Sequence, residues 1–163
     1  MLIDLHTHSY PHSDDSFMSV NELIDGSKSL GLDGICLTDH DIFWTYDEVR
    51  QLSAKHNFLV FQGCEINTES GHALVFGLDK YEFGMHRAEF LQASVKKAGG
   101  VMIAAHPYRR RFIEEPAGRP GVRNEMLEKA SQDIFFQMCQ GIEVLNGRGL
   151  TIQNEFSQEL GGI

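Results

Sequence analysis

Six short apolar runs, none longer than six residues, divide this chain, and amphipathic stretches of helical length separate most of them. Runs this short read as strands, and their alternation with helices is the pattern of an α/β fold on a parallel or mostly parallel sheet. The strands are expected over 2–5, 34–38, 58–62, 72–77, 101–105 and 141–145, with helices near 19–30, 45–56, 86–98, 122–139 and 150–160. Ser19 with Glu22, and Thr45 with Glu48, have the spacing of capping boxes, and Gly31 can end the first helix. Only the link Asn67 to Gly71 separates strands three and four, too short for a crossover helix. Those two strands should form a hairpin that sets His72 beside Glu65. At 163 residues and 42% hydrophobic, the chain can bury one core and is read as a single domain, 1–163.

Nearly every run ends in a residue able to bind a metal. Leu2, Ile3 and Leu5 make a buried strand that ends in His6-Thr7-His8, where a period of two turns both imidazoles to one face. The second strand enters Thr38-Asp39-His40-Asp41, the third Gly63-Cys64-Glu65, the fifth His106-Pro107, and the sixth ends at Asn146. Strand ends are where α/β folds place their chemistry. A lone histidine at one such end is most often structural, but coincidence at this many ends is improbable. Nitrogen and oxygen donors without paired cysteines point to a multinuclear Mn, Fe or Zn site rather than a structural zinc. Glu65 is the natural bridge, since one carboxylate can offer an oxygen to each of two cations.

Composition narrows the partners. Lys plus Arg number 14 and Asp plus Glu 23, a net charge of −9 with His neutral, which argues against long nucleic acid. Cys36, Cys64 and Cys139 are odd in number and lack a CxxC spacing, so neither a disulfide framework nor a zinc knuckle is indicated, and a reducing cytoplasm fits. Asp4 and His6 interrupt the only apolar N-terminal run, so no signal peptide is read, and no stretch is long enough to span a membrane. Walker-type and Rossmann glycine patterns are absent. Residues 107–121, rich in Arg, Pro and Gly, are expected to form one long, functional loop.

Taken in order, His6-Thr7-His8, Asp15 before the Ser19 to Leu23 helix start, Thr38-Asp39-His40-Asp41, Gly63-Cys64-Glu65 and Ala105-His106-Pro107 resemble the motifs of the PHP (polymerase and histidinol phosphatase) domain. The resemblance covers the whole chain and implies a metal-dependent phosphoesterase on a distorted (β/α)7 barrel. It implies that His6, His8 and Glu65 hold one metal, that Glu65 and His106 hold a second with His72 or Asn146, and that Asp15 and His40 hold a third. His12 or Asp14 could stand in for Asp15, because the loop after His8 is longer than in many members. The family closes its site with a C-terminal Asp-x-His that this sequence lacks, Asp133 being its last aspartate and His106 its last histidine. The chain is therefore read as a PHP barrel missing its last C-terminal strand or strands.

Two or three bound cations would activate a water and neutralise phosphoryl charge. Glu65 and His106 would act in catalysis through that metal-activated water. A small phosphomonoester or nucleotide is the expected substrate. Arg109, Arg110 and Arg111 follow His106 and could grip its phosphate, although a triple Arg run is more often a solvated loop. Arg119 and Arg123 are weaker candidates. Asp4, Asp39 and Asp41 could orient the ligating histidines or could simply be caps and surface charge. Tyr108 and Trp44 could stack on a base, with packing the commoner role, and His56 and His86 read as surface residues. Two other readings stand beside this one. A metal-dependent amidohydrolase also begins with His-x-His, but no Lys lies at a predicted strand end to bridge its metals. A non-catalytic metal-binding or interaction module is the other.

Overall fold

The computed structural model describes residues 1–109 and 121–162. Three parallel strands, β1 (Ile3–Thr7), β2 (Gly34–Leu37) and β3 (Leu59–Gln62), form one sheet in the order β1-β2-β3. Helices α1 (Val20–Ser29) and α2 (Tyr46–His56) make the crossovers. Both begin in capping boxes, Ser19 with Glu22 and Thr45 with Glu48, as their spacing predicts. Gly31 follows α1 at φ +81°, a left-handed turn that glycine adopts without strain. Leu23, Ile24, Val49 and Phe58 pack onto Ile35, Leu37 and Val60 to form the core beneath this sheet.

A second sheet holds β4 (Cys64–Thr68), β5 (Gly71–Phe76), β6 (Val101–Ala104) and β7 (Gly141–Ile142) in that order. Its first two pairings are antiparallel and the last is parallel. Helices α3 (Ala88–Ala98), α4 (Val122–Ser131), α5 (Ile134–Met138) and α6 (Thr151–Gly161) complete the described elements. Leu91, Val95, Phe135 and Phe156 bury their side chains with Ile66, Val75 and Met102 in a second core.

Gly63 is the joint between the sheets. Its N–H donates to the Leu37 carbonyl at 3.0 Å, the last pairing of the first sheet, and the next residue opens β4 in the second. A Cβ here would lie 2.7 Å from Phe76 Cε1 and 2.9 Å from Thr38 Cγ2, so only glycine passes. A parallel bridge between His40 and Glu65 then carries β2 onward beside β4. The chemistry-bearing ends of both sheets thereby meet.

Several expectations are corrected. The hairpin partner of β5 is not the strand ending at Gln62 but the separate strand β4; Asn67 is the register partner of His72, and Glu65, one position along the same face, lies beside it as expected, 2.8 Å from His72 Nδ1. The β1 region is less buried than its apolar run suggests: Leu2 is 60% and Leu5 46% exposed, because β1 is an edge strand. The stretch 122–139 is two helices, broken at Gln132 and restarted where the Asp133 side chain caps the Phe135 N–H. The fold is mixed α/β with parallel and mixed sheets, and no closed barrel is found among the described residues. No helix among them is long and apolar enough to cross a membrane.

Candidate metal centre

Glu65 sits near the start of β4 with its side chain 1% exposed, and five imidazoles surround it. His6 Nε2 and His8 Nε2 lie 3.0 and 2.8 Å from Oε2, with His40 Nδ1 at 3.4 Å from the same oxygen. His72 Nδ1 and His106 Nε2 lie 2.8 and 2.9 Å from Oε1. Each carboxylate oxygen thus faces its own set of nitrogens. Burial works to raise the Glu65 carboxyl, but hydrogen bonds from His106, His6, His72 and His8 hold it far below the ordinary carboxylate range.

The imidazoles respond in kind. Burial alone would lower His6, but Glu143 and Glu65 push it up to about 10. Burial likewise opposes the rise of His8, which Glu65 and Asp15 outweigh. His40 goes the other way, lowered by burial with the positive fields of His8 and His72 added. A neutral His40 has a lone pair to offer, and its Nδ1 is a buried atom without a hydrogen-bond partner. An orphaned donor aimed at a crowded carboxylate fits a cation better than a structural hydrogen bond.

Three sets of side chains have ligand atoms close enough together to share an ion: His6, His8 and Glu65; His8, Asp15 and His40; and His40, Glu65 and His72. All offer imidazole nitrogen or carboxylate oxygen, the donors that suit Mn, Fe and Zn. The thiol of adjacent Cys64 is directed instead to the Asp39 carbonyl, and burial first of all pushes it well above its ordinary value. The residues present therefore fit a divalent metal cluster.

The local backbone explains how they converge. Asp15 Oδ1 lies 2.7 Å from His8 Nδ1, and Asp15 reaches this point because its loop is tied to Asp39. Asp39 is fully buried and accepts from Ser9 N, Ser9 Oγ, Ser13 Oγ and Trp44 Nε1 at 2.6–2.9 Å. Trp44 is thus a buried strut, and His12 packs edge-on against it rather than joining the ligands. His106 is held at φ +29°, a left-handed conformation costly for a non-glycine residue. Its N–H donates to Glu143 Oε2 at 2.6 Å, which fixes that turn.

Asn146 borders the same cleft as His6, Glu65 and His106. It donates to Glu143 Oε1 at 3.0 Å and accepts from the Tyr108 hydroxyl at 3.3 Å. Asp4 accepts from the His6 backbone N–H, and Asp41 accepts from the backbone and side chain of Asn67. His56 is no plain surface residue: it pairs with Asp25 and Asn21, while His86 is exposed before α3. Arg109 is partly exposed and lines the clefts on both sides of His106, of about 340 and 280 Å³. Arg123 pairs with Glu159. Arg110, Arg111 and Arg119, with most of the 107–121 loop, lie outside the described residues.

Sequence reasoning missed Glu143. Its Oε1 takes His6 Nδ1 at 3.0 Å, leaving His6 Nε2 free to face Glu65. The available signal was a lone carboxylate inside an apolar run, since an unpaired charge is rarely placed in a strand.

The PHP domain family model matches residues 4–147. Among solved structures, a candidate metal-dependent phosphoesterase from Bifidobacterium adolescentis superposes with a TM-score of 0.66 at 18% identity, covering 98% of this chain and 82% of its own. An amidohydrolase from Chromobacterium violaceum, with bound sulfate and no metal, gives 0.59 at 18% identity over 95% and 81% of the two chains. A two-domain protein from Bacteroides vulgatus, containing a predicted PHP-like metal-dependent phosphoesterase, gives 0.59 at 22% identity over 97% and 48%. No curated protein sequence matches significantly.

Proposed function

Because the chain belongs to the PHP domain family, we propose that it is a metal-dependent phosphoesterase hydrolysing small phosphate esters, phosphomonoesters or nucleotides, at a di- or trinuclear site of Mn, Fe or Zn. The observation that carries this reading is Glu65, a buried carboxylate with separate imidazoles on each of its oxygens. The two sheets are read as the wall of a distorted (β/α)7 barrel, with the site where their strand ends meet.

Bound divalent cations supply two things, an acidified water and neutralisation of the phosphoryl oxygens. The protein's own residues do the rest. His6 and His8 share one Glu65 oxygen and His72 and His106 the other, so Glu65 fixes the spacing of two positions. Asp15 and His40, with His8 beside them, would hold the third. Arg109 borders the cleft and is placed to pair with substrate phosphate, a role proposed for Arg110 and Arg111 as well. The excess of carboxylates, net −9, disfavours long polyanions and favours a small phosphorylated substrate. Cys36, Cys64 and Cys139 are all unpaired, which supports a reducing, cytoplasmic setting.

A second reading, amide hydrolysis, draws on the name carried by the Chromobacterium violaceum neighbour. The same centre could polarise a carbonyl. The experiment that separates them is hydrolysis of p-nitrophenyl phosphate and of a neutral p-nitroanilide with Mn, Fe or Zn added, then with excess EDTA. Phosphate release that EDTA abolishes is expected. Amide cleavage without phosphate release would transfer the reading to the second class, and no metal-dependent hydrolysis of either would leave a binding module.

A further inference from the structure

Beside Arg109, the cleft holds a second arginine, Arg148. Arg148 Nη1 donates to Asp15 Oδ2 at 2.8 Å, across 133 residues of sequence. Its side chain is 63% exposed and lines the same cleft as His6, His8, Glu65 and Arg109. We propose that Arg148 is a phosphate-binding residue of the cleft that Arg109 also lines, and that it selects dianionic phosphate monoesters. This inference rests on the phosphoesterase reading above.

The backbone beneath Arg148 is built to hold it in place. The Arg148 N–H donates to Asn146 Oδ1 at 3.1 Å and the Gly149 N–H to the Asn146 carbonyl at 2.9 Å, forming a tight turn. Asn154 on α6 clamps that turn from outside, accepting from the Asn146 N–H and donating to its carbonyl. From inside, the Tyr108 hydroxyl reaches Asn146, tying the turn to the segment that carries His106 and Arg109. A Cβ at Gly149 would run into the Tyr108 hydroxyl and the Asn154 side chain, so the turn has no slack. A fixed turn therefore presents a long, exposed guanidinium.

The tip is weakly tethered. An exposed ion pair contributes little to stability, so leaving Asp15 costs Arg148 little. Asp15 also belongs, with His8 and His40, to one of the candidate ligand sets. A cation taken up by that set competes with the guanidinium for the carboxylate and repels it. A guanidinium released from Asp15 still borders the cleft that Glu65 lines, where an anion could take it up. Arginine meets a phosphate through two parallel N–H donors, and Asp15 engages only Nη1. Held between Arg109 and Arg148, a dianion gains two counter-charges where a neutral ester gains none.

The test titrates inorganic phosphate into Mn-loaded wild type, Arg148→Ala and Arg148→Lys by calorimetry, with metal content and thermal unfolding measured on each. Arg148→Ala should weaken phosphate binding about tenfold or more, with Arg148→Lys between the two, because lysine keeps the charge and loses the fork. Metal content and melting temperature should be unchanged. Arg148→Ala should also raise KM for p-nitrophenyl phosphate more than it lowers kcat. Phosphate affinity equal in all three proteins, or no phosphate binding by wild type, overturns the inference. So does loss of metal in Arg148→Ala, which would make Arg148 a support for Asp15 alone. An active enzyme indifferent to Arg148 leaves the phosphoesterase reading intact. Arg148-dependent phosphate binding without any ester hydrolysis overturns that reading instead.

Discussion

Glu143 and His6, 137 residues apart, are joined by a 3.0 Å hydrogen bond that decides which nitrogen of His6 faces Glu65. A carboxylate can only accept, so His6 Nδ1 carries a proton and Nε2 is left to Glu65. The other Glu143 oxygen holds the His106 backbone. One residue thus holds a histidine on each side of Glu65.

Glu143→Gln should lower metal affinity by about 10- to 100-fold while the protein stays folded. An amide placed there can turn its NH2 toward His6 and favour the wrong tautomer. Competition against a coloured chelator, with circular dichroism as the control for folding, measures this. Affinity equal to wild type would remove Glu143 from the site.

Asp39→Asn should destabilise the fold by about 2–4 kcal/mol, since each buried group left unsatisfied costs about 1–3 kcal/mol. The carboxylate accepts four hydrogen bonds, and an amide nitrogen cannot accept from Trp44 Nε1. The loop that carries Asp15 should loosen with it. Urea unfolding reads the first effect, and the metal equivalents retained read the second.

Much of this arrangement was legible in the sequence. His6, His8, Asp15, His40, Glu65, His72 and His106 all converge where the strand ends of the first sheet meet the β4–β5 hairpin of the second. Two kinds of feature were not legible. The change of sheet at Gly63 depends on Phe76 and Thr38 crowding it from elsewhere in the chain, which local pattern cannot record. The partners Glu143 and Arg148 act across 137 and 133 residues, and no spacing rule spans such a distance. Helix starts were read well for the opposite reason, since a capping box is complete within four residues.

Gly63→Ala should cost about 1–3 kcal/mol, the usual penalty of forcing atoms into a filled core. Its Cβ meets the Phe76 ring at 2.7 Å, and the strain falls two residues from Glu65. Activity should therefore fall further than stability alone predicts, which kcat at a temperature well below the melting point would reveal.

The thiols should be inert in the native protein. Burial above all pushes Cys36 up to about 11 and Cys139 up to about 12 and raises Cys64 further, with nearby carboxylates adding to each. Since the thiolate is the reactive form, alkylation by iodoacetamide should be negligible near neutral pH and rise only as pH approaches those values. All three should react in urea. Fast labelling of one native thiol at neutral pH would contradict this environment.

The central claim is that Glu65 bridges a cluster of cations. Its most direct test is the number of divalent metal ions bound per chain at saturation, counted by elemental analysis for wild type and Glu65→Gln, both prepared without chelators or a histidine tag. About two or more equivalents in wild type and under one in the variant is the predicted result, because one carboxylate serves both sides of the site. Fewer than one equivalent in wild type, or equal content in the two proteins, would contradict it.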